Sequence, residues 1–501
     1  MQGYSMSKTF LISVFLILMT LCVFAEVVYH DFFVIDDLSY VRDNPHLKQG
    51  ITREAIEWAF SADLIYDSPH TDYWQPVTLL SRLVDVKLFG MNPAGHHLMN
   101  LLIHVLNALF LFALLRKLTG KLWASAFVAA VFAIHPFQVE TVAWITARKD
   151  LLCAFFGFLT IWLYVDFTKR PVMLRYLAVI FSFLPCLLSK PSLVALPFIL
   201  LLLDFWPLER IQKTKLAQER FALLFEKIPL LILSGMMILV INKAPSTSFY
   251  EIPPVKILLS IPISYVWYVA KTILPLNLGL RSPDLTNLSP VWQTASSIFL
   301  LTAMSWLALR QRAVRPYLAF GWLWFLATLS PATTLIPVGD RFMYVPIIGL
   351  AIMVAWDAPE LIKLLKWPKK TAYVLSAAVL CIFAFLTSQQ TAKWQDSITF
   401  LNHAIKVSPK NFLAHYNLGT ALFRQGGYEK SLEQYRKVLE ITPDHAFVYD
   451  NIGLTFFKMG KWEEAKSAFE KAVALDPAFE VSRKHLRQLE ELKKTGLQAE
   501  T

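Results

Sequence analysis

The sequence predicts an all-α protein in two parts. A polytopic membrane helix bundle of about eleven spans covers 1–390, and a soluble helical repeat domain covers 391–494, with a short tail at 495–501. Three observations predict it. The chain is 55% hydrophobic and 17% charged, with a mean hydropathy of +0.46, whereas soluble globular proteins carry about 25% charged residues. The charge is also unevenly placed. Of 48 basic and 37 acidic residues, 393–501 hold 16 and 14, leaving 32 and 23 for 1–392, so the first part is about half as charged as the second. Finally, only the second part repeats a fixed interval, 34 residues long.

A spanning helix needs about 20 mostly apolar residues. Spans are expected near 9–28, 98–116, 121–135, 151–167, 173–189, 192–206, 228–243, 292–309, 317–332, 343–357 and 371–389. The first can also be read as a signal peptide, with Val23-Phe24-Ala25 before the cut. Only Lys8 charges its leading region, which favours a retained helix. The stretch 256–275 is ambiguous; Lys256, Pro262 and Lys271 suit an interfacial helix.

Loop charges set the orientation. Segments 116–121, 169–175, 209–227, 310–315 and 363–370 are basic, whereas 26–97 carries 11 acidic and 5 basic residues. The positive-inside rule places the basic set in the cytoplasm and the acidic loop, 29–97, outside. With 256–275 in the interface, the C-terminal domain also falls outside. The net charge of +11 is thereby explained as a topology signal, and no nucleic-acid partner is expected. All four cysteines lie in apolar runs without a CxxC pair, against structural zinc or a disulfide framework.

The second part repeats in phase. Pro409, Pro443 and Pro477 are 34 apart, as are Trp394, Tyr428 and Trp462; Gly419 and Gly453 keep the interval. This pattern resembles the tetratricopeptide repeat. Complete repeats are expected at 412–445 and 446–479, a partial repeat before them, and a capping helix at 480–494. Stacked helix pairs present a concave face suited to a polypeptide or protein partner. The alternative is a solenoid that only stabilises or oligomerises the chain.

Candidate chemistry lies in the expected outer loops. Asp36 and Asp37 are adjacent carboxylates just after the first span. They suit proton abstraction from a hydroxyl or capture of a divalent cation, or, more simply, a turn or helix cap. Residues 135–150 hold His135, Glu140, Arg148, Lys149 and Asp150, too many polar groups for a simple hairpin connection. His135 and Glu140 lie five apart, which is not the HExxH zinc pattern, and no metal site is assigned. Lys190 and Arg341 sit in other outer turns. Cations at this depth need a partner; an anionic lipid phosphate satisfies them, with Arg as a fork and Lys as a point charge. Headgroup snorkelling or an internal salt bridge would do so too. His97, beside His96 before the second span, can touch substrate or serve a structural role. Asn100, His104 and Asn107 recur about one turn apart and can line a buried polar face.

"DDLSYVRDNP", "YWQPVTLLSRLVDVKLFGMNPAGHHLMNLLIHVLNALFLFALL", "AAVFAIHPFQVETVAWITARKDLL", "LSKPSLVALPFILLLLDFWPL" and "GDRFMYVPIIGL" occur in this order before the repeats. This set resembles the transmembrane and tetratricopeptide-repeat O-mannosyltransferase family and its bacterial relatives, polytopic glycosyltransferases of the GT-C type. The resemblance implies a polyprenyl-phosphate sugar as donor, an acceptor presented outside the cytoplasm, and an acidic residue of the first exported loop at the reaction centre. Asp36 and Asp37 match that position, with Asp36 preferred as base. Glu140 and Arg148 match the second-loop motif, and Arg341 the late one. Animal members carry more repeats, which leaves the sugar and the acceptor open.

The expected function is therefore transfer of a sugar, mannose by resemblance, from a polyprenyl-phosphate donor to a hydroxyl acceptor, a polypeptide held near the repeats. A single displacement would invert the anomeric centre. No resident cofactor is required, although the aspartates can hold a divalent cation. The expected location is a bacterial inner membrane with the repeats in the periplasm. Two rivals stand beside this reading: a non-catalytic scaffold for envelope assembly and a transporter of lipid-linked sugars. Charges massed on one outer face favour an enzyme over a transporter, which needs a midplane site.

Overall fold

The structure, a computed structural model, describes residues 2–61, 74–213, 216–241, 254–279, 290–333 and 339–495. Residues 62–73 of the expected exported loop, 242–243 at the end of the expected span 228–243 and the tail beyond residue 495 lie outside these. Every regular element among the described residues is helical. The chain divides into two compact units: Met1–Phe32, Asp36–Leu278 and Ser289–Gln395 form the first, and Phe33–Ile35, Gly279–Leu288 and Asp396–Thr501 the second.

Five segments of the first unit are long and apolar enough to cross a membrane: Met6–Tyr29, Pro93–Thr119, Ile145–Lys169, Phe221–Ile241 and Lys370–Trp394. The other six expected spans also form helices but do not meet that measure among the described residues. Leu122–Ile134, Met173–Ser189 and Leu196–Phe205 are apolar but short. A helix rises about 1.5 Å per residue, so the ten residues of Leu196–Phe205 reach only about half of a ~30 Å hydrocarbon layer. Val291–Arg310, Pro316–Thr333 and Ile347–Leu364 are longer. The ambiguous stretch is a 20-residue helix, Pro254–Ile273, with Pro262 inside it. Its Tyr265 and Tyr268 enter the main core. Tyr268 donates to the Gly339 carbonyl at 2.8 Å, and Tyr265 to that of Leu326 at 3.0 Å.

Local chemistry sets the boundaries. Pro93 opens the Pro93–Thr119 helix and the Asn92 side chain accepts from the Ala94 N–H, as an N-cap does. Gly120 closes it at φ +68° and bonds the Arg116 carbonyl. The core gathers aromatic and branched side chains, among them Phe132, Phe137, Phe158, Phe183, Trp322, Phe325 and Ile348. Gly321 and Gly349 face each other where Pro316–Thr333 crosses Ile347–Leu364; a Cβ on either would strike the other's carbonyl oxygen. Small residues let two helix backbones approach that closely. Phe10, Phe15, Leu102, Leu106, Phe299 and Phe385 point outward, as lipid-facing side chains do. All four cysteines are free.

In the second unit, Phe412–Arg424 pairs with Tyr428–Ile441 and Ala446–Lys458 with Trp462–Leu475; Glu480–Thr495 follows. Asn411 caps its helix through a side-chain bond to the Ala414 N–H. Gly419 and Gly453 let Tyr435 and Phe469 press against the first helix of each pair. Trp394, which keeps the 34-residue interval with Tyr428 and Trp462, sits in the 3-10 turn Ala392–Trp394. The helix after it starts at Ser397, capped by Asp396. Upstream, Val34 donates to the Ser397 hydroxyl at 2.9 Å and the Phe33 ring meets Phe400 edge-on.

Candidate functional site

One short segment, residues 138–150, organises the site. It runs as a helix, Gln138–Ala143, a 3-10 turn, Ile145–Ala147, and the first turn of Arg148–Lys169. Trp144 separates the two helices with an extended backbone, so successive side chains point to different neighbours.

Thr146 holds Asp37. Its N–H at 2.8 Å and its hydroxyl at 2.5 Å both donate to Asp37 Oδ1, and the aspartate is fully buried. Asp36 differs. It is half-buried and adopts φ +66°, a left-handed conformation that L-residues other than Gly, Asn and Asp rarely take. Its carbonyl accepts from the Tyr40 N–H at 2.7 Å and the Ser39 hydroxyl at 3.2 Å. Strain of this kind costs about 1–3 kcal/mol and persists where the surroundings enforce it.

Glu140 and Trp144 hold Arg341. The Arg341 N–H donates to one Glu140 oxygen at 3.1 Å and Nη1 to the other at 3.0 Å. The guanidinium centre lies 4.6 Å from the Trp144 ring centroid, in cation–π range. A Cβ at Gly339 would sit 3.0 Å from Glu140 Oε1, so a larger residue there would crowd the carboxylate. Glu140 is buried, whereas the Arg341 side chain stays 21% exposed.

Arg148 and Lys190 are committed to internal partners. Arg148 Nη2 donates to Asp85 at 2.6 Å and to the His96 carbonyl at 3.0 Å, and Nε donates to Asn100 Oδ1. His96 Nδ1 stands 3.3 Å from the same Asp85 oxygen. Burial raises the Asp85 carboxyl, but His96 and Arg148 outweigh it and leave it below the ordinary carboxylate value. Lys190 Nζ donates to Asp150 at 2.6 Å. The two histidines are set into packing. His135 Nδ1 accepts from the Phe137 N–H and Nε2 donates to the Thr272 carbonyl. His97 meets His30 edge-on with centroids 5.9 Å apart.

The structure thus gathers Asp37, Glu140, Arg148, Lys190 and Arg341 onto residues 140–150 or their direct partners. Sequence reading missed Arg82, Asp85, Trp144 and Thr146. Arg82 is fully buried and donates through Nη2 to the Thr146 carbonyl at 3.3 Å. Burial lowers its guanidinium to about 10, and the Asp37 carboxylate opposes that fall. Arg82 and Asp85 are three apart in the helix Pro76–Phe89 and so share one face; that spacing was the available signal. The polar seam of Asn100, His104 and Asn107 is fully buried. Asn100 donates to the Trp144 carbonyl at 3.0 Å, Asn107 to that of Leu151 at 2.9 Å, and the His104 ring meets the Tyr344 hydroxyl at 2.8 Å. The seam therefore fixes both ends of the 144–151 segment. Among the described residues no three His, Cys, Asp or Glu side chains are grouped to hold a metal ion.

Comparison with known proteins bears on both units. A tetratricopeptide-repeat family model matches residues 411–478. Curated relatives extend across the chain. A protein O-mannosyl-transferase of Caenorhabditis elegans is 24% identical over 418 residues, covering 79% of this chain and 57% of that protein. One from Mus musculus is 23% identical over 462 residues, covering 80% and 48%; one from Homo sapiens is 23% identical over 476, covering 81% and 52%. The chain spans about half the length of these relatives. Together with the apolar helices, the matches identify an integral membrane protein. By its repeats and by similarity over about four-fifths of its length, the chain is similar to the transmembrane and tetratricopeptide-repeat O-mannosyltransferases.

Proposed function

We propose that the protein is a membrane glycosyltransferase of the GT-C type, with about eleven spans. It moves a sugar, mannose by analogy with its relatives, from a polyprenyl-phosphate donor to a hydroxyl of a protein acceptor on the non-cytoplasmic face. The observation that carries this reading is the shared 140–150 segment: Thr146 holds Asp37, while Glu140 and Trp144 hold Arg341. A carboxylate pair and a partly exposed cation are thereby tied to one rigid support, as a displacement at a phosphate-bearing carbon needs.

In this mechanism Asp36, the more accessible acid, takes the proton of the acceptor hydroxyl as that oxygen attacks the anomeric carbon. Asp37 anchors the loop. Arg341 faces the departing lipid phosphate and stabilises its growing charge. Lys190 and Arg148 act through their partners, Asp150 and Asp85, which leaves Arg341 as the principal phosphate contact. One displacement inverts the anomeric configuration. A divalent cation at the two aspartates would draw its remaining ligands from water or the donor phosphate. The repeats hold the polypeptide acceptor and raise its local concentration. The setting is a bacterial inner membrane with the repeats in the periplasm.

Membranes containing the protein, given radiolabelled polyprenyl-phosphate mannose and a Ser/Thr-rich acceptor, are expected to label the polypeptide. Absence of transfer with a series of lipid-linked sugars would favour the scaffold. Impermeant thiol reagents in a cysteine-depleted background are expected to reach Gln49→Cys and Lys458→Cys from the same, outer side. Labelling from opposite sides would contradict the orientation.

A further inference from the structure

The turn that follows the last apolar helix converges on the proposed site. Its Trp394 ring stands 6.4 Å from that of Trp144, the ring against which Arg341 lies. The Gln395 carbonyl accepts from the Asp31 N–H at 3.2 Å, on the segment that leads to Asp36. Lys393, in the same turn, is half-buried. Its Nζ donates to Gln390 Oε1 at 3.1 Å, and Gln390 donates in turn to the Leu278 carbonyl at 3.3 Å. The carboxylate that acts on it electrostatically is that of Asp340, the neighbour of Arg341. Arg148 and Lys190 each hold a carboxylate at 2.6 Å. Lys393 has no ion pair of that kind among the described residues, and its hydrogen bond goes to a neutral amide oxygen. Gln390 uses one of the three donors that an ammonium carries.

We propose that Lys393 is a second cation at the donor phosphate, engaged as the lipid phosphate departs. This rests on the reading of Arg341 as the phosphate contact and adds a second residue with a different task. The chemistry of the transfer asks for one. The donor phosphate is a diester with a single negative charge. As the acceptor oxygen bonds to the anomeric carbon, the bond from that carbon to the phosphate oxygen breaks and its electron pair stays with the phosphate. The hydroxyl proton passes to Asp36. The released polyprenyl phosphate is a monoester and carries close to two charges above about pH 7. The Arg341 fork suits the diester present from the start; Lys393, a point charge on a flexible stem, meets the charge that develops. A donor aimed at charge found only late in the reaction raises turnover rather than ground-state binding.

Binding of two lipids to the purified full-length protein separates these tasks without turnover. Polyprenyl phosphate and polyprenyl-phosphate mannose are titrated in detergent at about pH 8, where the monoester is a dianion. Lys393→Gln is expected to weaken polyprenyl phosphate by about tenfold or more and the mannose-linked donor by less than about threefold. Arg341→Gln is expected to weaken both. In transfer assays Lys393→Gln is expected to lower kcat by about 100-fold with little change in the donor KM. Lys393→Arg is expected to restore most of that loss, and both variants to unfold at the wild-type temperature. Wild-type affinity of Lys393→Gln for both lipids, with Arg341→Gln weakened, would overturn this inference alone. Equal weakening of the two lipids by Lys393→Gln would also overturn it, making Lys393 a ground-state ligand. No effect from Arg341→Gln would overturn the phosphate reading itself, and this inference with it.

Discussion

Thr146 donates twice to a single oxygen of Asp37, through its backbone N–H at 2.8 Å and its hydroxyl at 2.5 Å. The loop after the first helix is thereby pinned to the 138–150 segment at the residue beside Asp36. Thr146→Val keeps the shape and the backbone bond but removes the hydroxyl. Hydrogen bonds to charged groups contribute about 1.5–3 kcal/mol, so a 10- to 100-fold loss of transfer is expected at normal expression. Steady-state transfer in isolated membranes checks it; an unchanged rate would detach Thr146 from the site.

The Asp85–Arg148 pair is almost fully buried, with 1% exposure on each side. Removing one partner from such a pair destabilises by about 3–5 kcal/mol, because the other charge is left uncompensated. Arg148→Met is expected to do so, and Asp85→Leu added to it to recover much of the loss. Thermal unfolding of the four proteins in detergent gives the coupling; additive losses would show the pair to be independent.

The same pair sets an acid limit. The folded Asp85 carboxyl lies below its ordinary value. Its contribution is therefore fully present above the unfolded pKa, near 3.9, and is lost as pH falls through the lower folded value. Unfolding temperature is expected to drop below about pH 4, more steeply in the wild type than in Asp85→Asn. Parallel pH profiles for the two proteins would assign the acid sensitivity elsewhere.

Gly419 tests the repeat packing. A Cβ there would lie 2.6 Å from the Tyr435 ring, a clash between two buried residues. Overpacking of this kind costs about 1–3 kcal/mol, so Gly419→Ala is expected to make the second unit more susceptible to limited proteolysis. Ala421→Gly, on the same helix, weakens it only through propensity, by about 1 kcal/mol. Equal digestion of Gly419→Ala and wild type would refute the close approach.

Much of the fold was legible because its signals are periodic. Apolar runs marked the long helices, and the 34-residue spacing of Gly419 with Gly453 marked the helix crossings. The number of spans was harder to read: Leu122–Ile134 and Leu196–Phe205 are apolar yet too short to qualify alone, and length is fixed by caps and packing rather than hydropathy. The site was legible in part. Asp36, Asp37, Glu140 and Arg341 were visible as charges beside apolar runs, but their partners were not. Thr146 meets Asp37 across 109 positions and Glu140 meets Arg341 across 201, and no local pattern records such pairings. Arg148 and Lys190 read as phosphate ligands because Asp85 and Asp150, which hold them, looked like loop charges. The left-handed conformation of Asp36 left no mark, since aspartate tolerates it without glycine's signature.

The difference between the two aspartates is the centre of the proposal, and transfer by purified Asp36→Asn and Asp37→Asn in liposomes tests it most directly. Loss of a positioned general base lowers rate by about 10²–10⁴-fold. Asp36→Asn is expected to fall by that factor with an unchanged unfolding temperature. Asp37→Asn, which weakens the bond to Thr146, is expected to lose stability along with transfer. Wild-type rates from Asp36→Asn would contradict the assignment of the base.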